Sequence, residues 1–597
     1  MRLLAVMCAV FWTATTVPAE PGIDPPQNVD GPIVSVADFG AKPDGSACAW
    51  NAFTQAIEEC KKVGASKLLI PHGRYVFNDP EILTRPGAHF PMADMSDLVI
   101  EGSGSELVFH HIRPVMTFHH CQRVIVRNFS VDWDIDLAVP GRIKEGKGGE
   151  KVLEIPKEFP FGEGDRIGAV TEYDLNELTW KKNAIEVYDP KDARLVASQT
   201  WSSEGFQKFP KGSTLVIRKY VYDAHAFVFN GPGTGHLAFE DLTIYACPGM
   251  AFSGAWCDRG FRFARCKIQR KIDPRRLISA TADGIWFGGA QGDILIEDCD
   301  FSHQGDDSVN LHGAWVTVAS RPDRKTVELA YKWAACPPFV IGEEIKLRRA
   351  SDLSLIQRAK IIAVERETPD SKTCKVTLDR ELPAELATGD FVENTARACG
   401  NFLIRNNYFH DHRARGLLIQ ASNGLVENNR ISNVMCAAMQ LTTDARYWHE
   451  GFVCEDVTIR GNTMEGCNYA NWDRHATGRH PACLNVVADT VSGLSPAPIH
   501  RNILIEGNTI KDTPGLAIFV TSSEDVIIRN NTIINSNTEP FNGTGSGIGL
   551  AARGSIMIAR ASNVVISGND QTAKKKTWDR GVYVDAATTK NVTKTGR

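Results

Sequence analysis

Ile404-Arg-Asn-Asn-Tyr-Phe409 and Val426-Glu-Asn-Asn-Arg-Ile431 share one pattern, 22 residues apart. An apolar residue is followed by polar or turn-forming residues and closes on another apolar one. The pattern returns as Ile459-Arg-Gly-Asn-Thr-Met464, Ile505-Glu-Gly-Asn-Thr-Ile510 and Ile528-Arg-Asn-Asn-Thr-Ile533. Earlier copies are Ile296-Glu-Asp-Cys-Asp-Phe301, Phe239-Glu-Asp-Leu-Thr-Ile244 and Phe263-Ala-Arg-Cys-Lys-Ile268. Each alternates as a short strand does. The central Asn or Gly suits a residue driven to positive φ. Strands recurring every 22 to 24 residues, with no helical periodicity between them, describe a solenoid. The fold class expected is all-β: a parallel β-helix whose coils stack about one strand spacing apart.

Asn407, Asn429, Asn462, Asn508 and Asn531 then fall in one column, read as an internal ladder that satisfies turn backbone. Residues 51–63 carry apolar residues at helical spacing and are expected to cap the open end of the stack. Two gaps break the repeat, 113 residues from Val126 to Phe239 and 108 from Ile296 to Ile404. Both are rich in strand-like runs and read as inserted β-barrel or sandwich modules. The expected divisions are a cap and first coils at 30–136, a first module at 137–226, coils at 227–312, a second module at 313–398, coils at 399–570 and a loosely held tail at 571–597.

The chain of 597 residues is 43% hydrophobic, with a formal charge of −5. The absence of a basic excess argues against a nucleic-acid partner. No segment after the start has the apolar length of a membrane span. The first residues, with Arg2, an apolar stretch from Leu3 to Trp12 and small residues at Val17-Pro18-Ala19, read as an export signal over 1–19. Fourteen of the fifteen cysteines follow it; they read mostly as buried thiols in the stack, with room for one or two disulfides.

The chemistry is expected where "QGDDSVN", Gln304 to Asn310, follows "TADGIWF", Thr281 to Phe287, one coil later. Aligning the two brings Asp283, Asp306 and Asp307 onto adjacent rungs. Strand alternation would turn Asp283 and Asp307 inward, so the chain is expected to bend just before Gly284 and Ser308. Three carboxyls this close cannot all ionise cheaply, and an acid beside a carboxylate is what glycosidic cleavage requires. Turn-forming or cation-binding aspartates are the plainer alternative. Trp286, Asn310 and His312 have outward parity beside them and are candidates for binding a sugar. Arg415 is expected one rung beyond the Asp pair. Trp448 and Glu450, on an interruption between coils, are expected as pocket wall and hydroxyl acceptor. Trp133 and Asp134, beside the first insertion, are weaker candidates.

An Asp one coil before Gly-Asp-Asp resembles the polygalacturonases, but neither their Gly-His-Gly nor their Arg-Ile-Lys motif follows. "TADGIWF", "HQGDDSVNLHG", the paired insertions and "RGLLIQ" resemble glycoside hydrolase family 110 more closely, from about residue 30 to 570. That resemblance implies a right-handed β-helix and an exo-acting α-1,3-galactosidase that inverts the anomeric centre. It also implies no metal or other cofactor, and Asp283, Asp306 and Asp307 as catalytic residues. Asp283 is taken as the acid, and Asp306 or Asp307 as the base. The partner implied is a glycan ending in α-linked galactose, and a homodimer stays open. Two other readings compete. A polygalacturonase-like hydrolase or lyase would require a basic patch, which reads as weak in these coils. A glycan-binding β-helix without catalysis would not depend on Asp283.

Overall fold

The computed structural model describes residues 19–470, 480–539, 550–574, 576–577 and 579–595. The expected export signal, apart from Ala19, lies outside them. Two parallel ladders of 24 and 12 strands run the length of the stack, with one short antiparallel strand added to the second. Their register follows the repeat. Ile100, Val126, Phe239, Phe263, Ile296, Ile404, Val426, Ile459, Ile505, Ile528 and Ile566 stand directly over one another. All eleven are buried in one continuous core. The two long gaps leave no mark on this column, since the coil before each insertion pairs directly with the coil after it.

The residue at the centre of each copy takes positive φ: Asn406 (58°), Asn428 (56°), Gly461 (64°), Gly507 (63°) and Asn530 (55°). The next residue is the ladder asparagine. Asn407 N–H donates to Asn429 Oδ1 (3.0 Å), and the same bond links Asn429 to Asn462, Asn462 to Asn508, Asn508 to Asn531 and Asn531 to Asn569. Each side-chain amide also donates to a backbone carbonyl of an earlier coil, as Asn462 does to Val426. Turn groups buried inside the stack are thereby satisfied.

The helix Trp50–Val63 closes the N-terminal end, burying Phe53, Ala56, Ile57 and Cys60. The first insertion is an eight-stranded antiparallel sheet, Ala138 to Arg218, whose hydrogen-bonded path stays open rather than closing as a barrel. The second closes into a six-stranded barrel, Val316 to Asn394. The expected loose tail is instead a further coil. Val582–Val584 pairs with Ile556–Ile558, and Lys590–Thr595 pairs with Ala561–Ser567. Val582, Val584 and Val592 pack on the core, an apolar signal too sparse to stand out in a polar stretch. All fourteen cysteines here carry thiols, thirteen of them buried. Cys336 and Cys374 of the barrel approach most like a pair, Sγ to Sγ 3.0 Å.

Replacing Asn462 by Ala removes the acceptor of the Asn429 N–H and amide (2.9 and 3.0 Å) deep in the stack. Thermal unfolding is expected to show a loss of about 1–3 kcal/mol for each buried group left unpaired. A melting temperature equal to wild type would mean that the ladder contributes little.

Candidate active site

The chain leaves Asp300–Ser302, turns at His303 (φ 62°) and re-enters a strand at Val309–Ala314. The bend expected before Ser308 is this corner. Asp283 occupies the equivalent corner before Ile285–Gly288. Pairing of Ile285 with Val309, and of Val309 with Leu417, stacks Asp283, Asp307 and Arg415 in one column. Glycine makes the close approach feasible. A Cβ on Gly305 would lie 2.2 Å from the Thr281 carbonyl oxygen, and one on Gly284 would lie 2.6 Å from that of Ser308.

The three carboxylates are 3–8% exposed, and an oxygen of each lies within 4.8 Å of the others. Asp283 Oδ1 accepts from the Asp307 N–H (3.0 Å). Asp307 Oδ1 accepts from the Arg415 N–H (2.7 Å), with the Arg415 guanidinium 3.3 Å from Oδ2. Asp306 accepts from Tyr222 Oη (2.6 Å) and from Arg413 (2.8 Å). Arg413 in turn grips Glu186 with two nitrogens (2.7 and 2.8 Å). Arg218 donates to the Thr281 and Gly305 carbonyls, tying the first inserted sheet to both corners.

These surroundings split the three acids. Burial, then the charges of Asp306 and Asp307, pushes Asp283 well above the carboxylate range. Burial also pushes Asp307 up to about 7 against the pull of Arg415. Burial alone would raise Asp306, but Arg413, the Tyr222 hydroxyl, Arg218 and Arg415 hold it below its ordinary value. Burial and the Asp306 charge raise Tyr222, so it remains a donor. The site therefore holds neutral and ionised carboxyls side by side at neutral pH, and the proton belongs to the group rather than to one residue. The oxygens of Asp306 and Asp307 already face arginine and phenol donors, which makes the trio a poor cradle for a cation.

Glu450 lies on a second wall. The short strand Glu450–Gly451 pairs with Gly313–Ala314 at the root of the barrel. Gln420 Nε2 donates to Glu450 (3.0 Å), Asn310 Nδ2 reaches it at 3.4 Å, and His312 Nε2 lies 3.5 Å away. Trp286 packs edge-on against His312, ring centres 5.1 Å apart. Trp286, Asn310, His312 and Glu450 are thus brought together beside the aspartates. Trp448 is not: it turns outward at 46% exposure. Trp133 is buried in the core and donates to the His111 carbonyl, and Asp134 faces His110; neither joins the site.

The basic patch expected to be weak is present, since Arg218, Arg413 and Arg415 converge on the corner. Glu186 and Asp306, both held below their ordinary values, are their ionised partners, and Asp307, raised to about 7, is a partial one. Arg413 was within reach of sequence reasoning, because coil register puts it over Gly305. Glu186, Tyr188, Arg218 and Tyr222 lie within or just beyond the inserted sheet, where no repeat reveals a column.

A family model described as a right-handed β-helix region matches residues 387–479 and 492–595. Along most of the chain the similarity is to named glycosidases. Alpha-1,3-galactosidase A of Bacteroides fragilis is 27% identical over 85% of this chain and 88% of its own length. Alpha-1,3-galactosidase B of Bacteroides thetaiotaomicron is 26% identical over 90% and 91%. Alpha-1,3-galactosidase A of Shewanella woodyi is 26% identical over 90% of each. With a parallel β-helix beneath it, the chain is a glycoside hydrolase. Within that class it resembles the α-1,3-galactosidases over most of its length.

The split acids give opposite stability trends. Asp307, raised when folded, lowers stability as pH climbs from about 4 to 7, because the unfolded chain ionises first. Asp306, depressed when folded, contributes stability above the ordinary carboxylate range that is lost as pH falls. Melting temperatures between pH 4 and 8 are expected to fall less steeply toward pH 7 in Asp307→Asn than in wild type. Asp306→Asn is expected to lose most at neutral pH. Parallel curves for all three proteins would contradict the assignment.

Proposed function

We propose that the protein is an exo-acting α-galactosidase that removes terminal α-1,3-linked galactose from glycans, of blood-group-B type or linear, with inversion. The observation that carries the reading is the division of the buried triad into neutral and ionised carboxyls, in a chain that resembles named α-1,3-galactosidases along most of its length. Asp283, kept neutral by burial, protonates the departing glycosidic oxygen. Asp306, kept ionised by Arg413 and Tyr222, draws a proton from the attacking water. Asp307 shares the proton equilibrium of the pair, and Arg415 steadies it.

Exo action is supported by confinement. Tyr222, just beyond the first inserted sheet, bonds Asp306, Tyr188 of that sheet lies under the Arg413 guanidinium, and the charge of Glu450 bears on Asp283. Groups from the first insertion, the coils and the Glu450 segment crowd the three aspartates, an enclosure that suits a terminal sugar better than the middle of a chain. Asn310 Oδ1 is buried without a protein partner and is free to accept from a sugar hydroxyl. Glu450, Gln420 and His312 give further polar groups that penalise a sugar whose hydroxyls fail to match.

One observation favours retention instead. Oxygens within 4.8 Å are nearer to the carboxyl separation of about 5–5.5 Å in retaining enzymes than to the roughly 6.5–9.5 Å of inverting ones. In that alternative Asp306 or Asp307 attacks the anomeric carbon directly. Proton NMR of fresh digests of α-1,3-galactosides decides between them: β-galactose as the first product supports inversion, and α-galactose supports retention. Asp306→Asn and Asp307→Asn are each expected to cut turnover about 10²–10⁴-fold. Homogalacturonan serves as the comparison substrate; release of uronate oligomers, with no galactose from any galactoside, would replace the proposal.

Tyr222→Phe keeps the ring and removes the donor to Asp306. Turnover is expected to drop about tenfold to a hundredfold, the size of a hydrogen bond to a charged group. The acidic limb of the pH profile is expected to shift upward, because Asp306 loses a group that holds its pKa down. Slower turnover with an unmoved limb would leave Tyr222 a structural role only.

A further inference from the structure

Trp333, Tyr447 and Trp448 form an exposed aromatic cluster that the catalytic reading does not use. They are 44%, 57% and 46% exposed. The ring centres are 5.2 Å apart for Trp333 and Trp448, and 4.8 Å for Tyr447 and Trp448. Three large aromatics left open to water at one place cost hydrophobic free energy unless something covers them.

The cluster is held rigidly. The Asp444 carboxylate accepts from the backbone N–H groups of Arg446, Tyr447 and Trp448 at 2.8, 2.8 and 3.1 Å. From the barrel side, Trp333 Nε1 donates to the Trp448 carbonyl (2.5 Å), and Lys332 Nζ donates to the Tyr447 carbonyl (2.7 Å). Two elements distant in sequence are thus pinned into one surface.

That surface, though turned outward, begins close to the site in the chain. Trp448 precedes Glu450 by two residues, so their Cα atoms are at most about 7 Å apart. Glu450 is within reach of Asn310, itself three residues beyond Asp307. An occupant that places its terminal sugar at Asp283 and Glu450 continues naturally toward the aromatic cluster.

We propose that Trp333 and Trp448, inclined to each other by 37° and braced edge-on by Tyr447, form a stacking platform for the sugars on the leaving-group side of the scissile bond. The barrel of the second insertion, through Trp333, then reads the glycan beyond its terminal galactose. Flat aromatic faces bind the apolar C–H faces of pyranose rings, and a rigid platform loses little entropy on doing so. The inference rests on the α-galactosidase reading for its substrate but not for its method of detection.

The test uses the full chain, wild type and Trp333→Ala, with two substrates. One is the disaccharide α-galactosyl-1,3-galactose; the other is a pentasaccharide ending in the same linkage. The ratio of kcat/KM for the long over the short substrate is expected to fall about tenfold in the variant, chiefly through KM, equivalent to about 1.4 kcal/mol. Calorimetric binding of the pentasaccharide after removal of its terminal galactose is expected to weaken similarly, and Trp333→Tyr to restore most of it. An unchanged ratio and unchanged binding would overturn the platform. So would an equal loss on both substrates with a lowered melting temperature, which marks a structural role. A dimer dissociated by the variant with glycan binding intact would assign the surface to a second copy and overturn the proposal as well. If wild type releases no galactose from either substrate, the α-galactosidase reading fails, and the binding arm still judges the platform.

Discussion

Parallel stacking in register is the constraint on which the remainder depends. Once each coil pairs residue for residue with the last, a side chain is fixed one strand spacing, about 4.8 Å, from its equivalent in the next coil. Charges that would repel in solution cannot move apart. Asp283 over Asp307, with Arg415 over both, is such a column, and the backbone on either side of it is hydrogen-bonded into two long ladders. The fold supplies the rigidity that makes an uncomfortable trio of acids possible, and that discomfort sets their protonation.

The same constraint explains what the sequence disclosed. A 22-residue recurrence of apolar-turn-Asn-apolar can satisfy buried turns only if the asparagines bond to one another, and they do, from Asn407 to Asn569. Asp283, Asp306, Asp307 and Arg415 were legible because they belong to coils, where position can be counted. Arg413 belongs to a coil too and could have been counted from Gly305. Trp448 was legible as an aromatic on an interruption, but its direction was not, because it depends on Trp333 from a separate insertion.

What periodicity could not give lies in the inserted sheet. Glu186, Tyr188 and Arg218 lie on or beside antiparallel strands, and Tyr222 just beyond them, with no repeat to align. The sheet leaves the stack two to three rungs before the aspartates, so it must lean back roughly 10–15 Å along the axis to touch them. Nothing in local sequence encodes that lean. The tail was missed for a related reason. Its apolar residues, Val582, Val584 and Val592, are too few to show a pattern alone, yet they suffice once Ile556 to Ile566 present a preformed edge.

Charge balance links the insertions to the chemistry. A bare solenoid would leave Asp283, Asp306 and Asp307 on an open groove, where water screens them and all three can ionise. Covering them raises every carboxyl, and three neutral acids would leave no base. The inserted sheet resolves this by arriving with Arg218, with Tyr222 following directly on it, and with Glu186 to hold Arg413 against Asp306. One acid is thereby kept charged while its neighbour, within 4.8 Å, stays protonated. Enclosure and ionisation would otherwise oppose each other; here one module imposes the first and supplies the counter-charge for the second.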